Sequence, residues 1–233
     1  MDMVLELLRG LDWSPLWISL KTGIVATAAC FFLGLFAARG VLHLGGRARA
    51  VIDGILTLPM VLPPTVAGFF LLLIFSLRRP LGSFLYEEMG LKVVQTWLGC
   101  ILAASVIAFP LMYRNARAAF EQVDENLIIA GRTLGMSEGA IFWRVVIPAA
   151  GPGIASGTIL TFARALGEYG ATSMLAGNIA GKTDTISQKI ATAISQNGDY
   201  RTAGIWVAIV MLMAFGIVVA MNLVTGGKNR RRW

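Results

Sequence analysis

From Ile129 to Pro148 the chain reads I-A-G-R-T-L-G-M-S-E-G-A-I-F-W-R-V-V-I-P, a charged stretch broken by glycines between apolar runs. Asp124 lies just before it, where an acidic side chain favours the start of a helix by complementing the helix dipole. Gly135 can adopt the left-handed conformation that ends a helix, and Ser137 is a favourable N-cap for another. The stretch therefore predicts a helix, a glycine turn and a second helix, with Pro148 where the chain turns into the next apolar run.

The rest of the chain is rich in apolar residues. Of its 233 residues, 56% are hydrophobic and only 14% are charged, and the mean hydropathy is +0.71. A soluble domain of this size needs more charged residues to cover its surface, so the apolar excess must face lipid. We predict an all-α integral membrane protein that forms a single domain over residues 1–233.

Five apolar runs reach the length of about 20 residues that a bilayer-crossing helix needs. A sixth segment, Ser187–Ile194, has helical apolar spacing but is too short to span, and it predicts an extra surface or re-entrant helix. The five predicted spans are approximately Leu16–Ala38, Ile52–Leu77, Trp97–Met112, Ala149–Leu175 and Ala203–Val224.

Several classes of site are excluded by the residues that the chain contains. Cys30 and Cys100 both lie in apolar runs and are expected to be small buried hydrophobic residues. His43 is the sole histidine, so a histidine metal cluster or histidine-based catalysis is not expected. The stretch Met1–Trp13 is acidic rather than basic, unlike a signal peptide, and the first apolar run should remain in the protein.

The placement of lysine and arginine predicts the orientation, because positively charged loops resist translocation. More of the 20 basic residues fall on one side of the five spans than on the other. The basic side comprises Arg39, Arg47, Arg49, the loop from Arg114 to Arg144 and the tail Lys228–Arg232. We therefore expect an external N-terminus, with that loop and the C-terminus in the cytoplasm. The net charge of +7 mostly reflects this asymmetry, and no nucleic acid partner is expected.

The stretch around Gly135 resembles the cytoplasmic coupling loop of ATP-binding-cassette (ABC) importer permeases. In that family a Glu-Ala-Ala triplet is followed by a spaced glycine and, nine residues later, by an apolar pattern ending in Leu-Pro. Gly135 occupies the glycine position and Val145–Pro148 fills the closing pattern, whereas Ile129–Gly131 replaces the triplet. The resemblance implies that the glutamate contact is lost or supplied by Glu125.

This resemblance implies that a separate ATPase subunit docks on the coupling loop, about residues 121–148. The chain has no G-x-x-x-x-G-K-[ST] phosphate loop, so ATP and Mg are expected on the partner. The chain itself is then a transport subunit with no catalytic site, no cofactor and no metal. The residues implied in coupling are Ala130, Gly131, Arg132, Thr133, Leu134, Gly135, Met136 and Pro148.

Four further segments are similar to the molybdate, tungstate and sulfate branch of these permeases. They are Leu58–Gly68, Pro80–Tyr86, Phe162–Thr172 and Gly177–Ile186, of which the second and fourth favour molybdate. The resemblance implies a type I ABC importer permease, homodimeric, in the bacterial inner membrane. An external binding protein would deliver the molybdate.

Other functions remain open from the sequence. A tungstate or a sulfate and thiosulfate permease is the nearest alternative. An ATP-independent channel or secondary transporter would also account for the hydrophobicity, but it would leave the coupling loop without a role. The sequence shows no internal repeat, although many secondary transporters are built from repeated halves.

Two charged residues inside the fourth predicted span are candidates for the substrate path. Arg164 and Glu168 are four residues apart on one helix face and can form an ion pair. Charges within a membrane usually face the bundle interior or an aqueous path, so the pair either orients the helix or gives positive potential to an anion path. Thr65 follows the prolines of the second predicted span and is a third candidate to line this path. The glycines of Gly151–Gly157 should let this span approach another helix closely.

Overall fold

A computed structural model describes residues 11–196 and 198–226 of the chain. Most of the stretch Met1–Trp13 and the basic tail Lys228–Arg232, on which sequence predictions rest, lie outside the described residues. Within these residues the regular elements are helices. They are α1 (Ser14–Leu42), α2 (Gly46–Val61), α3 (Pro64–Phe75), α4 (Pro80–Met89), α5 (Trp97–Glu121), α6 (Glu125–Thr133), α7 (Glu138–Ile141), α8 (Ile147–Leu166), α9 (Gly170–Leu175), α10 (Ile186–Ser195) and α11 (Tyr200–Gly226).

Four helices in the described part of the chain are long and apolar enough to cross a bilayer. They are α1, α5, the continuous helix Glu138–Leu166 and α11. Taken together, α2 and α3 would make a fifth crossing. The prediction of about five spans therefore agrees with the structure if this pair counts as one.

The second predicted span, Ile52–Leu77, is not one straight helix. α2 and α3 meet at 108°, with the break at Leu62 and Pro63. The residue before a proline is pushed towards extended backbone, and Leu62 has ψ 143°. Pro63 is also extended, with ψ 134°, and Pro64 then occupies the first turn of α3, where its missing N–H costs no helix hydrogen bond. Two successive prolines thus divide the span rather than kink it.

The helix that corresponds to the fourth predicted span, Ala149–Leu175, begins and ends earlier in the chain than predicted. The helix starts at Glu138 and runs through a π turn, Phe142–Val146, directly into α8. Pro148 lacks the N–H that would bond back four residues, and it lies in the first turn of α8, directly after the π turn. The predicted turn at Pro148 is therefore wrong. The helix instead ends at Leu166, and α9 follows as a separate element.

Small residues bring α5 and its neighbours close together. A methyl group built on Gly34 of α1 would lie 2.8 Å from Met112 Cγ of α5. On α8 the same construction at Gly157 meets Asn115 Cβ at 2.5 Å. Helices in lipid associate through such close packing, because the hydrophobic effect does not drive their association there. The small-residue face predicted on α8 is thus largely a contact within the subunit.

A second packing centre joins α3 and α9 to α5. A methyl group on Gly68 of α3 would lie 2.6 Å from Ala171 Cα of α9, so the two helices are in backbone contact. Ala171 and Leu175 are fully buried there, together with Ile107 of α5. α3 is held by this contact rather than by α2, none of whose residues is buried.

The predicted short helix at Ser187–Ile194 is confirmed as α10. It packs on α11 and the start of α1, where the Ile186 amide donates to Ser19 Oγ at 2.9 Å. At the same end of the molecule, Trp97 Nε1 donates to Thr22 Oγ1 at 2.8 Å. α11 is otherwise exposed along most of its length, as lipid contact requires.

Candidate functional site

The coupling loop folds as the sequence predicts on either side of Gly135. The Asp124 side chain accepts a hydrogen bond from Asn126 N at 2.9 Å and caps α6. At the other end, Met136 N donates to Gly131 O at 3.1 Å and Gly135 N donates to Arg132 O at 3.0 Å. These two bonds form a Schellman motif, which requires positive φ at the glycine. Gly135 has φ +76°, so the predicted glycine turn is confirmed.

The second helix of the loop is fixed to the first across this turn. Ser137 Oγ accepts from Ala140 N at 3.3 Å, which confirms it as the N-cap of α7. Arg132 Nε lies 2.7 Å from Glu138 Oε1, and this ion pair joins α6 to α7. The hydrogen bond to Glu138 raises the pKa of Arg132 above its usual value. The loop is therefore a rigid unit of two helices and a capped turn.

Gly131, the last residue of the altered triplet, has a packing role. It is buried, and a methyl group built on it would lie 3.0 Å from Ile141 Cγ1. α6 can approach α7 this closely because position 131 carries no side chain. Gly131 therefore positions α6 against α7 from inside the loop.

Most of the other predicted coupling residues are exposed. Leu134 at the tip of the turn is 80% exposed, and Ile129 is 49% exposed. Leu134 is thus an apolar side chain that the described residues leave largely uncovered at the tip of the loop. Ala130, Arg132, Thr133 and Gly135 share this exposed surface, Met136 is half-buried, and Pro148 is exposed on the helix beyond the π turn.

The structure confirms the predicted ion pair but not its placement on one helix face, because α8 ends at Leu166 and Glu168 lies beyond that end. Arg164 Nη1 lies 2.7 Å from Glu168 Oε2, and Glu168 is only 2% exposed. The other carboxylate oxygen, Oε1, accepts from Ala171 N at 2.8 Å. Glu168 therefore holds Arg164 and also caps α9, a second role that the spacing did not predict.

The third candidate, Thr65, lies near this pair. Its N and Cγ2 atoms lie 3.1 and 3.3 Å from the point where a methyl group on Gly170 would be. Thr65 is exposed, at the start of α3. All three candidates therefore gather where α3 begins, α8 ends and α9 begins.

A polar network that the sequence analysis missed connects α2 to α5. Asp53 of α2 accepts hydrogen bonds from Tyr113 Oη and Arg117 Nη1 of α5. Arg117 Nε also donates to Glu121 at 3.0 Å, and Glu121 accepts from Arg49 of α2. One signal for this network was present, because Asp53 lies just inside the second predicted span, where a charge demands a partner.

Long apolar helices with a compact loop of two short helices before one of them define a membrane protein that presents a structured polar surface outside the bilayer. The chain belongs to the family described as binding-protein-dependent transport system inner membrane component, which matches residues 31–226.

Curated relatives cover most of the chain. It is 38% identical over 205 residues to the molybdenum transport system permease protein ModB of Escherichia coli, covering 86% of this chain and 90% of that one. The ModB protein of Haemophilus influenzae is 32% identical over 211 residues, covering 90% and 92%. The sulfate transport system permease protein CysT of Salmonella typhimurium is 30% identical over 214 residues, covering 92% of this chain and 76% of that protein.

Solved structures share the fold. An inward-facing MetNI methionine ABC transporter matches with a TM-score of 0.65 at 18% identity, over 96% of this chain and 98% of that one. A bacterial ABC transporter that imports the acidic polysaccharide alginate matches with a TM-score of 0.72 at 15% identity, over 100% of this chain and 84% of that one. The predicted type I ABC importer permease architecture is thus confirmed.

Proposed function

We propose that this chain is the membrane-spanning subunit of an ATP-driven importer for molybdate, working as a homodimer. The observation that carries the proposal is the rigid coupling loop with its exposed apolar tip. A cytoplasmic ATPase would hold Leu134 and its exposed neighbours, and closure of two ATPases would move the two loops together. Because the loop continues through the π turn into α8 without a flexible joint, such a movement would reach the membrane directly.

The path for the anion would run past Thr65 and the Arg164–Glu168 pair. α3 begins at this point, and the start of a helix carries partial positive charge. Pro64 has no N–H and those of Val66 and Ala67 are bonded to Pro63 O, so Thr65 carries the remaining N–H of this turn. Interrupted helices in transporters commonly place such ends at the substrate path. Arg164 adds a cation that is 36% exposed, whereas its partner Glu168 is buried. The pair is neutral as a whole, so the attraction for a dianion would come from the exposed side of Arg164 and from the positive end of α3 beside it.

We propose molybdate rather than sulfate as the transported anion because the matches to molybdenum permeases are stronger. The match to the Escherichia coli ModB protein has 38% identity and covers 90% of that protein. The match to the Salmonella sulfate permease has 30% identity and covers 76% of it. An external binding protein would deliver the anion, with the N-terminus outside and the C-terminus in the cytoplasm.

The test is uptake by the chain reconstituted with its co-purified ATPase and the binding protein. We expect ATP-dependent uptake of radiolabelled molybdate that unlabelled tungstate inhibits and excess sulfate barely affects. Uptake without ATP would instead indicate a channel or secondary transporter. Inhibition by sulfate at the same concentration as molybdate would assign the chain to sulfate transport.

A further inference from the structure

Three cavities follow one another along the groove between α1 and α8. The first, of about 440 Å³, lies at the coupling-loop end, where α1 ends beside α6 and α7. The second, of about 160 Å³, adjoins it and shares Phe142. The third, of about 560 Å³, shares Phe31 and Phe32 with the second and reaches Ile24. The three cavities therefore follow one another from the loop into the membrane, each sharing lining side chains with the next.

The chemistry of the groove changes sharply along its length. The first cavity is lined by Arg39, His43 and Arg132, with Glu138 as its acidic residue. The second and third are lined almost entirely by apolar side chains, including Phe36 and Trp143. A cationic end followed by an apolar channel fits a molecule with an anionic head and hydrocarbon chains.

Arg39 is the unpaired cation of the first cavity. Its guanidinium carbon lies 3.8 Å from the centre of the Phe142 ring, at the junction of the first two cavities. Among the described residues it forms no ion pair with a carboxylate. Arg132, in contrast, is neutralised by Glu138. The cavity therefore keeps net positive charge at the membrane boundary, where cationic pockets between helices bind lipid head groups.

The length of the first two cavities also suits one leaflet of a bilayer. Phe31 and Arg39 are eight residues apart on α1, which is about 12 Å along a helix. Half of the hydrocarbon core of a bilayer is about 15 Å thick. Trp143 lines the second cavity next to Phe142 and is 57% exposed, as expected of an aromatic residue at the membrane interface.

We propose that this groove is a binding site for an anionic phospholipid, with its phosphate at Arg39 and an acyl chain between α1 and α8. The lipid would contact the coupling loop through Arg132 and the π turn through Phe142, so its occupancy would stabilise the loop's attachment to α1. The site is separate from the proposed substrate path and does not depend on which anion is transported.

The test uses the full chain purified in a mild detergent. Native mass spectrometry would measure binding of phosphatidylglycerol and of phosphatidylcholine with the same acyl chains. We expect tighter binding of phosphatidylglycerol, and Arg39→Gln should weaken it about fivefold, because one basic residue at a lipid surface contributes about 1 kcal/mol. The matched control is Arg47→Gln, an exposed arginine outside the cavity, which should bind as the unaltered chain does.

A second variant tests the apolar part of the groove. Gly151 lines the second cavity, and a methyl group built on it meets nothing within 4 Å. Gly151→Leu should therefore fold, since leucine favours helix over glycine, while its side chain fills the groove and weakens binding of both lipids. Gly204→Leu on α11, equally open, is the control.

Three results would overturn the proposal. The first is phosphatidylglycerol binding that neither Arg39→Gln nor Gly151→Leu weakens. The second is displacement of the lipid head by millimolar inorganic phosphate, which would make the first cavity a site for a free anion. The third is a disulfide between two copies carrying Phe36→Cys in a background without Cys30 and Cys100, which would make the groove a contact between subunits.

Discussion

At the scale of single residues, glycines at three positions have three different physical roles. Gly135 supplies a positive φ, Gly131 makes room for Ile141, and Gly68 lets α3 touch Ala171. Only the first role can be read from a local motif. The other two depend on which helix lies opposite, and the sequence does not state this.

Replacing Gly135 by valine should uncouple the loop. A β-branched residue at φ +76° costs about 1–2 kcal/mol, and the Schellman turn would relax into another conformation. We expect normal membrane expression with ATPase co-purification and ATP-driven uptake reduced several-fold. Gly139→Val, on the same loop but without positive φ, is the control. Uptake by Gly135→Val equal to that of the control would mean that the loop only connects two spans.

The Arg164–Glu168 pair allows its structural role and its role in transport to be separated. Arg164→Gln leaves a carboxylate that is 2% exposed without its cation. The loss should be smaller than the about 3–5 kcal/mol of a fully buried pair, because Arg164 is 36% exposed and screened by solvent. Glu168→Gln keeps an oxygen for the Ala171 amide and should be milder. The double variant should recover folding but not uptake.

The measurement is molybdate uptake divided by the amount of folded protein, for both single variants and the double. A contribution of Arg164 to the anion path requires low normalised uptake in both variants that lack it. Full uptake by the double variant would show that the Arg164–Glu168 pair has a structural role only.

Asp184 predicts a dependence of stability on pH. Burial raises its pKa, and Lys189, whose Nζ lies 3.5 Å from Asp184 Oδ2, opposes this only in part. The folded state therefore holds the proton more tightly than the unfolded state, so stability falls as the pH rises through the raised pKa. At pH 7.5 Asp184→Asn should have the higher melting temperature, and the difference should shrink towards pH 4. A lower melting temperature of the variant at pH 7.5 would show that the ion pair outweighs the burial.

At the scale of elements, α2 is attached to the core by a polar network and by partly buried apolar side chains. Its hydrogen bonds to α5 come from Asp53 and Arg49, while Ile52 and Leu56 pack partly buried against the core. Its other end leads into the 108° break before α3. With no fully buried residue in α2, the network should contribute a large share of its attachment.

Removing the charge of Asp53 should loosen α2 selectively. Asp53→Asn loses the ion pair with Arg117, and amide hydrogen exchange over residues 46–61 should rise about tenfold while α8 is unchanged. A tenfold change corresponds to about 1.4 kcal/mol, a reasonable loss for a partly buried pair. The control is Arg114→Gln, which changes an exposed arginine on α5, the same helix that carries Arg117. Unaltered exchange over α2 would show that apolar contacts hold it.

Sequence and structure agree where the determining residues are close together in the chain. Asp124, Gly135 and Ser137 act within a few residues, and the sequence predicted each of their roles. The 60-residue separation of Asp53 from Tyr113 hid the polar network. The prolines before Thr65 marked a break in the span, but its angle depends on the contact of α3 with α9, which no local pattern contains.

At the scale of the whole molecule, orientation is the prediction on which the others depend. Glu88 on α4 and Glu125 on α6 are both exposed. Each can be replaced by cysteine in a chain whose two buried cysteines have been changed to alanine. An impermeant thiol reagent added to intact cells should label the first and not the second. Labelling of both from outside would place the coupling loop beyond the reach of any cytoplasmic ATPase.

The division of the second span has a consequence for biosynthesis. With 16 and 12 residues, α2 and α3 are each shorter than the segment of about 20 residues that inserts stably by itself, and α2 carries Asp53. The partners of Asp53 are synthesised only when the ribosome has passed Tyr113 and Arg117. Insertion of this pair should therefore be completed late, after α5 has left the ribosome. In nascent chains cut before Tyr113, which α1 still anchors, a cysteine placed within residues 46–75 should react with an impermeant thiol reagent, and in chains cut after Glu121 it should be protected.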